Sequence, residues 1–242
     1  MSAYWWSVLL GSVAGLADVL GALILTGRRR WDPALLKYFL AVGAGFMLAA
    51  AFVRMLPESV EKLPHAFFFV LLGYFGIHLF EHTVAPHFHF GEETHHDEMR
   101  HQHASMSALA GLLIHTFFDG VAIASGFLVS SWLGVVIFLA ILLHKLPEGF
   151  TVASLLLAAG KSRNTALLGS ALLGAATLFG VLLMWLLKAT LAYTLPISAG
   201  VTLYVAASDL MPEVNREPGA RISVVAFLGV ALLFLLHRLF QF

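Results

Sequence analysis

Residues 131–157 read SWLGVVIFLAILLHKLPEGFTVASLLL, and the ionisable side chains in that run are His144, Lys145 and Glu148. A helix needs about 20 predominantly apolar residues to cross a bilayer. The stretch is therefore read as a membrane span that carries three charged or titratable groups towards its middle. Hydrocarbon penalises each of them, so their presence there points to function.

Working outward, the same length rule gives eight apolar segments, at 4–26, 34–55, 64–84, 106–129, 131–157, 164–188, 191–213 and 220–240. The 242 residues are 60% hydrophobic and 12% charged, with a mean hydropathy of +0.87. An ordinary soluble domain has roughly 25% charged residues. The expected fold is all-α and integral to the membrane, with residues 1–242 forming a single transmembrane domain in contact with the lipid bilayer. A net charge of zero gives no reason to expect a nucleic-acid partner. The lack of cysteine excludes disulfides, thiolate metal sites and cysteine nucleophiles. Segment 4–26 is followed rather than preceded by arginines, the reverse of a signal peptide, and is read as a retained helix.

Basic residues orient the chain. Arg28, Arg29, Arg30, Lys37, Arg100, Lys161, Arg163, Arg216 and Arg221 flank the connections after the first, third, fifth and seventh spans. Only Lys62, Lys188 and Arg238 lie on the other side. The positive-inside rule then puts both termini outside, in a plasma or inner membrane. The longest connection, 85–104, holds His87, His89, His95, His96, His101 and His103 among Glu92, Glu93, Asp97 and Glu98, and is expected to be a mobile, metal-binding cytoplasmic loop.

The run at 131–157 has a counterpart in the span before it. His115-Thr116-Phe117-Phe118-Asp119-Gly120 and His144-Lys145-Leu146-Pro147-Glu148-Gly149 each set a histidine and a carboxylate four residues apart, on one face of a helix. Two imidazoles and two carboxylates make an N2O2 donor set whose anionic oxygens neutralise a divalent cation. Such a set suits Zn(2+), Fe(2+), Mn(2+), Co(2+) or Cd(2+) as a passing ion, with no permanent cofactor. Pro147 removes the helical partner of the Leu143 carbonyl beside the site. A second repeat links Arg54-Met55-Leu56-Pro57-Glu58, closing the second segment, to Asp209-Leu210-Met211-Pro212-Glu213, closing the seventh. Those helices run in opposite directions, giving an inverted repeat in a 3+2+3 arrangement, as in many transporters.

On these residues the chain resembles the ZIP (Zrt/Irt-like) family of divalent-metal transporters along essentially its whole length. The resemblance implies transport of a divalent transition metal, above all zinc, towards the cytoplasm through His115, Asp119, His144 and Glu148, by alternating exposure between two helix bundles. Many relatives hold a second metal with the residues that follow the two motif histidines, here Thr116 and Lys145. An ammonium has no lone pair to offer, so a single transport metal is expected, with Lys145 in the place of a second cation. Asp18 is a candidate partner of Lys145 or a group on the ion path, and Thr116 and Asp209 are candidates for that path, with a bond to a neighbouring helix as the alternative for Asp18 and Asp209. His78-Leu79-Phe80-Glu81-His82 is read as an ion-collecting or exit cluster. The alternative is an intramembrane zinc hydrolase using His78, Glu81 and His82, since H-x-x-E-H can hold zinc and activate water. A homodimer is carried as an expectation.

Overall fold

A computed structural model describes residues 2–27, 33–83, 102–216 and 220–239. Eight helices in it are long and apolar enough to cross a membrane. They are α1 (Ala3–Thr26), α2 (Pro33–Ala50, continued by Ala51–Met55 and Leu56–Lys62), α3 (Ala66–Thr83), α4 (Gln102–Val129), α5 (Ser131–Ala158), α6 (Arg163–Leu186), α7 (Leu191–Tyr204, Val205–Leu210 and Met211–Arg216) and α8 (Ala220–Leu239). No strand occurs among the described residues. The chain is an all-helical integral membrane protein. Of the expected 85–104 loop, residues 85–101 lie outside the described residues, while α4 starts at Gln102 and takes in His103.

Pro57 and Pro212 do not end their helices as the sequence suggests. The helices continue to Lys62 and Arg216 after a widened π turn at Ala51–Met55 and at Val205–Leu210. A proline cannot donate to the carbonyl four residues back and crowds it. A π turn placed just before the proline accommodates that defect without stopping the helix.

Spatial grouping cuts across chain order. α1, α4, α5 and α6 pack against one another, α2 packs on α8 and α3 on α7, and the two sets meet where α2 lies on α5 and α4 on α7. Lipid supplies no hydrophobic drive for helix association, so close approach at small residues takes its place. A Cβ on Gly45 would stand 1.9 Å from the Ala226 carbonyl oxygen, and one on Gly200 2.0 Å from that of Val70. Gly15 and Gly174 meet backbone to backbone between α1 and α6. At the seam between the two sets, a Cβ on Gly43 would meet Leu143 at an ordinary 3.4 Å. Large apolar side chains such as Leu16, Phe68, Phe75, Leu186 and Phe227 are left exposed along the outer faces, as lipid contact requires.

Candidate metal site

α4 and α5 are joined through Ser130 alone, whose hydroxyl caps α5 by accepting from the Leu133 N–H at 3.1 Å. This tight reversal holds the two hexapeptides side by side. Donor atoms of His115, Asp119, His144 and Glu148 all lie within 4.8 Å of one another, and no residue of the four is more than 5% exposed. His115 Nε2 and His144 Nε2 are 3.4 Å apart, and Asp119 Oδ2 is 3.3 Å from each. Glu148 Oε2 is 3.9 Å from His144 Nε2. His144 Nδ1 lies 3.3 Å from the Ala140 carbonyl, which turns Nε2 towards the cluster. A tetrahedron with bonds of about 2.0 to 2.1 Å to nitrogen and oxygen has edges of about 3.3 Å. The three spacings among His115, His144 and Asp119 fit that figure, while Glu148 stands farther out, 3.9 Å from His144 Nε2.

Lys145 is fully buried against this cluster. Its ammonium donates to Glu148 Oε2 at 2.5 Å and Thr116 Oγ1 at 3.2 Å, and lies 2.9 Å from Asp119 Oδ2. Thr116 in turn donates to Glu148 Oε1 at 2.6 Å. Asp18 of α1 lies 3.9 Å from Nζ, buried and with no hydrogen-bond partner on either oxygen. It is brought there by Gly149: a Cβ at that position would stand 1.8 Å from the Asp18 carbonyl oxygen. On the other flank Gly120 meets the Thr177 carbonyl in the same manner.

The remaining sequence candidates lie elsewhere. Glu81 is buried at the end of α3 and hydrogen-bonded by Tyr204 of α7, while His82 Nδ1 donates to the His78 carbonyl of its own helix at 2.8 Å. The centres of the His78 and His82 rings lie 4.1 Å apart, and among the described residues the convergent group of metal-ligating donors is the central cluster. Asp209, within the π turn of α7, is buried near Glu81 and its Oδ1 has no partner. Two polar seams between helices were not paired from the sequence. Tyr74 of α3 reaches Ser208 of α7 at 2.8 Å. Arg54 of α2 donates to His237 Nδ1 of α8, with its guanidinium 6.0 Å from the centre of the Trp132 ring of α5. The only signal for either was a polar side chain inside an apolar helix.

The sequence profile of the ZIP zinc transporter family matches residues 2–108 and 89–237. The chain belongs to the ZIP family. This ZIP protein is 29% identical to the zinc transporter ZupT of Escherichia coli over 223 residues, covering 85% of each chain. It is 27% identical to the zinc transporter ZIP13 of Pongo abelii over an alignment of 249 positions that covers 88% of this chain and 71% of that one. With the human zinc transporter ZIP4 the identity is 35% over 132 residues, 53% of this chain and 19% of the relative. The ZIP match includes both hexapeptides and all eight spans, and it sets the protein among transporters rather than enzymes.

Proposed function

We propose that this protein carries a divalent transition metal, zinc above all, across the membrane towards the cytoplasm, binding it one ion at a time between α4 and α5. The observation that carries the reading is the convergence of two imidazole nitrogens and two carboxylates within 4.8 Å of one another in a buried place. Buried donors of this kind are expensive to keep in a membrane interior without an ion to bind. The names of the relatives support zinc, and the basic connections support an orientation with both termini outside. Iron, manganese, cobalt and cadmium ions compete for the same donors.

Alternating exposure is supported by the packing. The tightest glycine contacts tie helices within a set, and the seam between the sets lacks them. The inverted repeat is supported by matching registers. Gly21 of α1 meets α5 at Leu146 and Phe150, and Gly180 of α6 meets α4 at Phe117 and Val121, in each case two and six residues after the motif histidine. The two π turns before Pro57 and Pro212 are a second matched pair. Lys145, by this reading, is the fixed cation that replaces a second metal. The His87–His103 segment gathers ions and regulates flux. Radiolabelled zinc uptake into proteoliposomes, compared with manganese and iron, tests the whole: zinc should accumulate, and purified protein that accumulates none of these ions would remove the reading.

A further inference from the structure

We infer that Asp18 is a positioning residue for transport: it is the second seat of the Lys145 ammonium, occupied when the divalent ion takes Asp119 and Glu148. The inference rests on the metal-transport reading of the central cluster. Nζ of Lys145 and the incoming ion seek the same oxygens, since Asp119 Oδ2 and Glu148 Oε2 lie 2.9 and 2.5 Å from Nζ and 3.3 and 3.9 Å from His144 Nε2. An ammonium cannot ligate a metal, and at this range it repels one strongly in a dry interior. It must give way, yet its stem is fixed on α5 and it has no exposure to water.

One neighbour can receive it. Both oxygens of Asp18 are buried without a hydrogen-bond partner, a costly condition for a carboxylate. Its Oδ2 is 3.9 Å from Nζ, so a shift on the order of 1 Å makes a full charge-assisted hydrogen bond. The distance is held by the α1–α5 contact at Gly149. As the ammonium leaves, Thr116 keeps its bond to Glu148 Oε1 and holds that carboxylate in place. Asp18 touches the ion through none of this. It acts by drawing off a competitor.

Equilibrium zinc binding and uptake kinetics of purified, reconstituted protein test the idea in four forms: wild type, Asp18→Asn, Lys145→Gln and the double variant. Asp18→Asn should raise the zinc Kd and KM at least about tenfold, with kcat moving less. Asp18→Glu should recover most of that loss. With Lys145→Gln already present, Asp18→Asn should change the Kd by less than about threefold, because no ammonium remains to be moved. An equal rise in both backgrounds, or none in either, would overturn the proposal. Should Asp18→Asn not fold, a zinc-bound structure of the wild-type protein decides. Nζ on the Asp18 carboxylate supports the inference, and Nζ still on Glu148 Oε2 overturns it. Glu148→Gln protein that transports at the wild-type rate would instead remove the underlying transport reading.

Discussion

Asp119 Oδ2 has three polar neighbours, two imidazoles at 3.3 Å and an ammonium at 2.9 Å, and this crowding makes the charge of the site sensitive to single atoms. Removing one carboxylate leaves a divalent ion short of neutralising charge in a dry interior. Breaking such a buried pairing costs about 3 to 5 kcal/mol. Glu148→Gln and Asp119→Asn should therefore lower zinc uptake at least about 100-fold while the protein stays monodisperse; tracer flux in proteoliposomes is the check. Lys145→Asp should act the other way on stoichiometry, exchanging a repelling charge for a ligand. Metal analysis of protein lacking residues 87–103 should rise from one bound ion to two, and two ions in the unsubstituted form would eliminate the single-metal scheme. The His-acid pairs were legible in the sequence because both partners sit on one helix at fixed spacing. Asp18 was legible only as one of two alternatives, a partner of Lys145 or a group on the ion path, since its nearness to Lys145 depends on where α1 crosses α5. The close glycine contacts at Gly149 and Gly21 set that crossing.

At the level of helices, the spans were legible from apolar length, while their ends near Pro57 and Pro212 were not. Proline alone reads as a stop, and the π turn that lets a helix absorb it depends on neighbouring packing. Gly149→Ala should push α1 off α5 and destabilise the protein by about 1 to 3 kcal/mol, as overpacking does. Gly76→Ala, where an added Cβ meets nothing within 4 Å, is the matched control and should leave the melting temperature in detergent unchanged or raised. The histidine-rich segment makes a separate prediction. Ordering a chain around an ion costs about 1 to 2 kcal/mol per residue fixed, so the segment should hold metal weakly. Deleting 87–103 should change apparent affinity or regulation and leave flux measurable. Loss of all flux in a well-folded deletion would put the segment on the obligatory path.

Across the whole molecule, the seam between the two helix sets is open to a direct test because the chain has no cysteine. A Cβ at position 43 would stand 3.4 Å from the Leu143 Cβ, close to the spacing of about 3.5 to 4.5 Å that a disulfide needs. Gly43→Cys with Leu143→Cys should cross-link on mild oxidation and halt zinc flux, and reductant should restore it. Undiminished flux through fully cross-linked protein would show that the sets do not move against each other there. On the proposed single-ion cycle, Lys145 should also set where the membrane potential acts. With carboxylates ionised and imidazoles neutral, Asp18, Asp119, Glu148 and Lys145 together carry two negative charges, which one divalent ion cancels. On the proposed cycle the loaded stroke would move no net charge through the field, and the return stroke would carry the uncompensated charge, at about 2.3 kcal/mol per charge per 100 mV for whatever part of the field it crosses. An inside-negative voltage should therefore speed the reset of the carrier and leave its inward step almost untouched.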